Sequence, residues 1–282
     1  MQFCMNEASI MAKGNLLQHI ADCGDRGIRR IELRKVCLMD HLRSGGTLRE
    51  IREALESRDM CVPCINSIES ISFHDKRSMR LLKETAEYLF YCSREIGCDC
   101  IEVIASFKVP ETDISRINAA TSEALTALSD LAEPYGIRLA LEYMGVPASS
   151  VQTFDQALSI IRQTGRENVG ILLDTWHHFA MRSPVEDILK AKKDEIFIVH
   201  TSDCPDKEAG TLIRQESYLP GDGACPIVPM LKNLKKIGYD GIFSVEVFDP
   251  ALLDQPADKF IPEAVEKTLA VMREADVLTD PC

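Results

Sequence analysis

The chain has 282 residues, 45% of them hydrophobic and 27% charged, and its 32 basic and 44 acidic side chains give a formal net charge of −12. This length suits one α/β barrel domain over residues 1–282 better than two smaller domains. An acidic chain without a Lys/Arg-rich segment repels phosphate backbones, which argues against nucleic acid as a partner.

The start of the chain and its cysteines indicate where the protein resides. Residues 1–20 lack the basic start and continuous apolar stretch of a signal peptide. No segment approaches the ~18 apolar residues that span a membrane. The 11 cysteines are scattered through apparent strands and helices, as buried reduced thiols usually are. We therefore expect a soluble, cytoplasmic protein with no membrane partner, and the sequence leaves a monomer and a homo-oligomer both open.

Short apolar segments alternate with longer amphipathic ones from one end of the chain to the other. This alternation is typical of βαβ units and a parallel sheet, and about eight repeats predict a closed (β/α)8 TIM barrel. The predicted strands cover residues 2–6, 30–33, 60–65, 100–104, 137–142, 169–174, 195–200 and 241–246.

Two helices and one long loop stand out between these strands. Residues 77–96 carry apolar side chains at helical spacing and are followed by Gly97, which permits a left-handed helix stop. Residues 113–132 form a second helix of this kind. Residues 201–226 show no regular pattern and contain Pro220-Gly-Asp-Gly223. Loops of this length in compact domains are often functional, so we expect a lid here.

A carboxylate or an imidazole ends each of four strongly apolar strands in the second half of the chain. These residues are Glu142, Asp174, His200 and Glu246. Any one of them alone is more simply explained by a local hydrogen bond. Four at equivalent strand ends are expected to meet at the C-terminal face of a barrel. Three oxygen donors and one nitrogen donor suit one divalent metal ion, Zn²⁺, Mn²⁺, Mg²⁺ or Co²⁺.

The segment Asp174-Thr-Trp-His-His-Phe179 places further functional groups just beyond one of these strands. His177 is expected close to the metal but not bound to it, with a substrate hydroxyl as its partner. His178 is expected to be a structural histidine. Trp176, the single tryptophan, either walls a substrate pocket or packs against the barrel rim.

Three common catalytic motifs are missing from the sequence. It has no phosphate-binding loop with Lys-Ser/Thr, no dinucleotide fingerprint and no Gly-x-Ser-x-Gly nucleophile elbow. Neither a nucleotide, nor a nicotinamide, nor an acyl-serine intermediate is therefore implied.

Nearly the whole chain resembles the xylose isomerase-like barrels, a family that includes sugar isomerases, ketose epimerases, inosose dehydratases and endonuclease IV. The segments that carry the resemblance include Phe3-Cys-Met-Asn-Glu-Ala8, Leu139-Ala-Leu-Glu-Tyr143, Leu173-Asp-Thr-Trp-His177 and Ser244-Val-Glu-Val-Phe248. These segments are more specific evidence for the family than four polar residues at strand ends.

The resemblance implies roles for individual residues. Glu142, Asp174, His200 and Glu246 would bind one divalent metal ion, and the two glutamates would double as acid and base. The Pro220-Gly-Asp-Gly223 segment would lie on a substrate-covering loop. The candidate substrate contacts are His177, Trp176, Asn66, Arg214 and Asp203.

The chain departs in two respects from patterns within this family. Relatives often have an arginine three residues before the Pro-Gly pair, where this chain has Ser217, and Arg214 could take its place. Endonuclease IV requires extra histidines at the ends of the third and fourth strands, where this chain has Asn66 and Ala105. Together with the net charge, this second departure argues against DNA repair.

The activity implied by the resemblance is an isomerase of a small keto-polyol. It would interconvert 2-keto-myo-inositol and 1-keto-D-chiro-inositol through a metal-stabilised enediolate, a reaction of inositol catabolism. A ketose 3-epimerase would use the same metal and glutamates, and an inosose dehydratase would need an acid such as His177. A barrel that only binds a polyol, or that supports a partner subunit, is the non-enzymatic alternative.

Overall fold

The computed structural model describes residues 1–279 and shows a closed barrel of eight parallel strands. Each strand pairs with the next in chain order, and β8 pairs with β1 to close the barrel. The predicted TIM barrel is confirmed. The strands are β1 (Gln2–Asn6), β2 (Ile31–Arg34), β3 (Ile65–Ile68), β4 (Cys100–Ile104), β5 (Arg138–Glu142), β6 (Val169–Asp174), β7 (Ile196–Thr201) and β8 (Ile242–Val245).

Helices connect the strands and pack around the barrel. The two longest predicted helices are present, each within one residue of its expected start. The helices are α1 (Leu16–Gly24), α2 (Lys35–Arg43), α3 (Leu48–Glu56), α4 (Lys76–Ile96), α5 (Ile114–Ala132), α6 (Phe154–Thr164), α7 (Thr175–Ala180), α8 (Ile227–Lys236), α9 (Pro250–Leu253) and α10 (Ala257–Glu274). None of the helices in residues 1–279 is long and apolar enough to cross a membrane.

Local sequence signals set the ends of α4. The Asp75 side chain accepts a hydrogen bond from the Ser78 backbone N–H, so it caps the first turn. At the other end Gly97 takes a left-handed conformation with φ of 81°, as predicted. These two residues explain why this helix starts and stops where it does.

Alternation along the strands divides their side chains between two environments. Leu139, Leu141, Ile171 and Leu173 belong to the large core between the strands and the helices. The opposite set forms a small apolar layer inside the barrel, made of Cys64, Cys100, Ala140, Leu172 and Ile198. Because side chains alternate along a strand, Glu142, Asp174 and His200 share the orientation of this inner layer. The barrel interior therefore has an apolar layer with a polar layer at its C-terminal end.

The predicted third strand was misplaced. The sequence pointed to residues 60–65, whereas β3 covers Ile65–Ile68. Cys61 makes only an isolated bridge to Arg30, and Pro63 follows it without a backbone N–H for a ladder. The correction places Asn66 within β3 rather than after a strand.

Candidate active site

The four predicted metal ligands converge at the C-terminal end of the barrel. Glu142 and Asp174 end their strands, His200 is the last but one residue of β7, and Glu246 directly follows β8. Their ligand atoms all lie within 4.8 Å of one another, and each residue is at most 3% exposed. Four strands thus deliver one compact donor set.

The unpaired atoms of this cluster point to a missing partner. Within residues 1–279, Glu142 Oε1 and His200 Nδ1 are buried without a hydrogen bond. His200 Nδ1 lies 3.5 Å from Glu246 Oε2 and 3.8 Å from Glu142 Oε1. Leaving such atoms unpaired in the interior costs free energy. Three carboxylates and one imidazole around these atoms fit a divalent cation of the Zn²⁺, Mn²⁺, Mg²⁺ or Co²⁺ class.

A carboxylate behind His200 orients its ring. Both carboxylate oxygens of Glu32 lie within 3.0 Å of His200 Nε2, and the Asn6 side-chain amide donates to Glu32. With Nε2 engaged in this way, Nδ1 faces the carboxylates of the cluster. Burial lowers the pKa of His200, but the charges of Glu32 and Glu246 outweigh burial and hold this pKa well above its usual value.

The two glutamates of the cluster have opposite electrostatic environments. Burial and the neighbouring carboxylate of Glu102 raise the pKa of Glu142 well above its usual value. Burial also acts to raise the pKa of Glu246, but the charges of His200 and Arg214 outweigh it and hold this pKa below the usual range. In the metal-free protein Glu142 therefore binds a proton more tightly than Glu246 does.

His177 presents a hydrogen-bond donor to the cluster. The Gly145 backbone N–H donates to its Nδ1 at 2.9 Å, so the ring proton of the neutral imidazole lies on Nε2. That Nε2 is 3.9 Å from Glu142 Oε1 and has no hydrogen-bond partner among the residues described. Burial lowers the pKa of His177 to about 4, so the ring is neutral at pH 7.

Two local features fix this histidine in place. Asp174 Oδ1 accepts the backbone N–H groups of Trp176 and His177 and so caps α7. At Gly145 a Cβ atom would come within 2.2 Å of the His177 carbonyl oxygen. Only glycine permits this approach, and the approach places the Gly145 N–H on the imidazole.

Arg214 reaches the cluster from the long loop. Its Nη2 donates to Asp174 Oδ2 at 3.3 Å and to Glu246 Oε2. The guanidinium carbon lies 4.3 Å from the centre of the Phe248 ring and 5.3 Å from that of the Trp176 ring. Stacking against aromatic rings favours a guanidinium over an ammonium group. Arg214 therefore reaches the site, and its Nη1 stays unpaired within the described chain.

Two other predicted substrate contacts, Asn66 and Trp176, and the predicted structural histidine His178 lie in different surroundings. Asn66 is buried, and both polar atoms of its side chain lack partners in the described part of the chain. Trp176 has no exposed surface and donates through Nε1 to the Glu216 carbonyl, so it supports Arg214 instead of lining open space. His178, expected to be structural, contacts the Tyr143 hydroxyl and the Pro184 carbonyl, each at 3.0 Å.

The structure gives Asp203 a role other than the predicted substrate contact. Its carboxylate accepts the backbone N–H groups of Cys204, Gly221 and Cys225, with distances of 2.8 to 3.0 Å. A Cβ atom at Gly223 would lie 2.4 Å from Asp203 Oδ1. The carboxylate is thus occupied in folding residues 201–226, and the glycines of this loop permit the approach.

Three charged residues of the site were not predicted. Glu32 and Glu102 lie inside strands, and Arg34 ends β2 with its Nη1 3.4 Å from Glu246 Oε1. Burial raises the pKa of Glu102 to about 7. The signal was a carboxylate in the middle of an apolar strand, as in Ile31-Glu-Leu33 and Ile101-Glu-Val103. Strand alternation directs both carboxylates into the barrel.

Comparisons with known proteins agree with this geometry. The inosose isomerase of Bacillus velezensis is 31% identical over 275 residues, which cover 96% of this chain and 97% of that protein. The inosose isomerase of Bacillus subtilis is 29% identical over 272 residues, 96% of this chain and 98% of that protein. A crystal structure of an IolI protein with a bound zinc atom has a TM-score of 0.94 and 28% identity, covering 99% of this chain and all of the other.

The sequence profile of one protein family spans most of the barrel. Its description is "Xylose isomerase-like TIM barrel", and it matches residues 20–275. The match includes seven of the eight strands and all four residues of the polar cluster. The chain therefore belongs to the family of xylose isomerase-like TIM barrels.

Proposed function

We propose that this protein is a metal-dependent isomerase that interconverts 2-keto-myo-inositol and 1-keto-D-chiro-inositol. The observation that carries the proposal is the meeting of Glu142, Asp174, His200 and Glu246, all buried and with ligand atoms within 4.8 Å of one another, at the C-terminal end of the barrel. The near full-length similarity to inosose isomerases supports a cyclic keto-polyol as the substrate.

Glu142, Asp174, His200 and Glu246 would hold one divalent ion. Bound there, the ion would act as a Lewis acid toward the oxygens of an α-hydroxyketone, which amounts to several kcal/mol of charge stabilisation. The four side chains suit this task because they are preorganised: Glu32 orients His200, and the helix cap on Oδ1 leaves Oδ2 of Asp174 facing the cluster.

The protein's own groups would move the protons. To shift the ketone by one carbon, a base removes the C–H proton beside the carbonyl, and an acid delivers a proton to the former carbonyl carbon. The hydroxyl proton of the neighbouring carbon is lost as the new ketone forms, and the former carbonyl oxygen takes up a proton to become the new hydroxyl group. Glu142 and Glu246 are the buried carboxyl groups of the cluster that suit this work, one as the base that takes the C–H proton and the same group or the other as the acid that returns it.

The remaining unpaired groups match the hydroxyls of a neutral polyol. Asn66, His177 Nε2 and Arg214 Nη1 are buried hydrogen-bonding groups without partners within residues 1–279. Arg34 and Arg214 both contact Glu246, so their charges already have a carboxylate partner. A site with several neutral contacts and balanced charges favours hydroxyl groups over a carboxylate or phosphate on the substrate.

The state of His177 favours isomerisation over dehydration. Expelling a hydroxyl group as water requires a proton donor of suitable strength. With a pKa of about 4, His177 is neutral at pH 7 and suits a hydrogen-bond donor that orients a substrate oxygen. The proposed role of His177 is therefore substrate positioning.

The test is proton NMR of 2-keto-myo-inositol in D₂O with the metal-loaded protein. We expect a product with its ketone on the neighbouring carbon, with solvent deuterium incorporated at the carbon that loses or gains the proton. Glu246→Gln should lower the rate by ~10²- to 10⁴-fold, the usual contribution of a general base. Glu123→Gln, a change on the exposed face of α5, is the matched control.

Other outcomes would redirect the proposal. An epimer with the ketone unmoved would identify a 3-epimerase, and a dehydrated diketone would identify a dehydratase. Product formed without any solvent deuterium would replace the proton transfer with a hydride shift. Metal-loaded protein that binds the polyol but never converts it would indicate a binding protein.

A further inference from the structure

A second cluster of potential ligands lies outside the site described above. Glu7 follows β1, His19 lies in α1 and Cys37 lies in α2. One ligand atom from each lies within 4.8 Å of the other two. This Glu7–His19–Cys37 cluster combines an oxygen, a nitrogen and a sulfur donor from three separate elements of the fold.

Hydrogen bonds place two of the three side chains firmly. Glu7 Oε1 lies 2.7 Å from His19 Nδ1, and Glu7 Oε2 accepts the Arg34 backbone N–H at 2.7 Å. Glu7 and His19 are at most 1% exposed. Such a preorganised carboxylate and imidazole need little rearrangement to accept a cation.

An ordinary buried ion pair does not account for the whole cluster. His19 Nε2 is buried, yet it has no hydrogen-bond partner in the described part of the chain. Nε2 lies on the ring edge away from Glu7, so Nδ1, 2.7 Å from Glu7 Oε1, is the nitrogen that would bind an ion together with Glu7 and Cys37. The half-buried thiol of Cys37 beside the same carboxylate adds a soft donor that an ion pair does not need.

A surface groove lies beside the cluster and reaches it at Cys37. It has a volume of about 400 Å³, and its walls include Gly14, Leu16, Val36 and Cys37. A Cβ atom at Gly14 would lie 3.7 Å from His19 Cδ2, so the imidazole edge that carries Nε2 is close to this wall. A cation could enter here, and water could complete its coordination.

We propose that the Glu7–His19–Cys37 cluster is a second metal site, selective for a thiophilic divalent ion of the zinc class. Three protein ligands of O, N and S type suit Zn²⁺ or Co²⁺, whereas Mg²⁺ and Ca²⁺ prefer oxygen ligands alone. The bound ion would join β1, α1 and α2 at one point. This proposal does not depend on the isomerase activity.

Cobalt titration of the full-length, metal-stripped protein tests the site directly. Co²⁺ bound by a thiolate gives a sulfur-to-metal charge-transfer band, which the oxygen and nitrogen ligands of the barrel cluster cannot produce. We expect two cobalt ions per chain and this band in the unmodified protein. Cys37→Ser should leave one bound cobalt ion and no band. His19→Gln should lower the affinity for the cobalt ion that gives the band by about tenfold or more.

Matched variants separate this site from other thiols and from the barrel cluster. Cys61→Ser, at the exposed cysteine, and Cys282→Ser should both retain the band. Glu246→Gln should also retain it, because that change affects only the barrel cluster. Absence of the band in the unmodified protein, or its survival in Cys37→Ser, would overturn the proposal. Cobalt bound at the barrel cluster alone would overturn it while leaving the proposed isomerase site intact.

Discussion

The strand ends and the long loop contribute to the candidate active site in different ways. Glu142, Asp174 and His200 come from strands whose pairing register fixes their height in the barrel. Arg214 comes from residues 201–226, where its position depends on Phe248, Trp176 and the hydrogen bonds of Asp203. The position of the four proposed ligands therefore follows from regular structure, whereas that of Arg214, the proposed substrate contact, depends on irregular structure that must be stabilised separately.

Removing the metal should have the largest effect, and it acts on the part of the site that the four strand ends supply. Dialysis against a chelator should lower kcat by at least ~10³-fold, because several kcal/mol of transition-state stabilisation are lost. Adding back a divalent ion should restore activity, and steady-state assays measure both changes. Undiminished activity in protein shown to be metal-free would contradict the role assigned to the four ligands.

Metal binding should also release protons. The pKa values of Glu142 and His200 lie well above their usual values, so the metal-free protein holds these protons up to higher pH than free side chains do. A metal ion binds their deprotonated forms, so binding should release protons and tighten as the pH rises. Calorimetry in buffers of different ionisation enthalpy counts these protons. An identical heat in all buffers would be incompatible with the protonation states described.

Glu102→Gln should change the pH dependence of stability. Burial raises the folded-state pKa of Glu102 to about 7 from a usual value of 4.5. Compared with its ionised form at high pH, Glu102 therefore contributes to the free energy of unfolding below pH 4.5. This contribution is lost as the pH rises through 7. In metal-free protein, the free energy of unfolding of the variant relative to that of the unmodified chain should increase by up to about 3 kcal/mol between pH 4 and pH 8.

Urea unfolding at several pH values measures this difference. Glu123→Gln on α5 is the control, and its free energy of unfolding should track that of the unmodified protein at every pH. A Glu102→Gln curve parallel to that of the unmodified protein would show that Glu102 ionises normally. The sign of the effect is as informative as its size. For a salt-bridged glutamate with a lowered pKa, the difference in free energy of unfolding would change with pH in the opposite direction.

Arg214→Lys should weaken the loop-borne half of the site. Lysine keeps the charge but loses the planar stacking on Phe248 and Trp176 and the second N–H group. We expect KM to rise about 10- to 100-fold, the effect of one lost charged hydrogen bond, with a smaller change in kcat. Arg43→Lys on α2 is the control. Unchanged kinetics would remove Arg214 from the substrate contacts.

Asp203→Asn should have the smallest effect, because it leaves every ligand in place. One of the two side-chain acceptor oxygens becomes a donor that faces backbone N–H groups, which should cost about 1–3 kcal/mol within the loop. Residues 201–226 should become more sensitive to proteases, and KM should rise modestly. A loop as resistant as before would show that the hydrogen bonds of Asp203 do not hold it together.

Sequence patterns predicted the regular parts of this protein well and the irregular parts less well. Apolar strands with polar ends located Glu142 and Glu246, since alternation along a strand is a local property. The third strand was misplaced because the apolar residues around Pro63 resemble a strand although the proline cannot join a ladder. The loop-folding role of Asp203 was not predicted because its partners Gly221 and Cys225 lie about twenty residues further along the chain.

The sequence by itself determined the barrel, the family and the four converging side chains, because periodicity and strand ends are written in neighbouring residues. Only the tertiary structure decided which nitrogen of His200 faces the cluster, which glutamate has its pKa raised and that Glu7, His19 and Cys37 meet. Glu32 and His200 are 168 residues apart in the chain yet share a hydrogen bond. Burial and charge act through space, so these properties arise only once the barrel has closed.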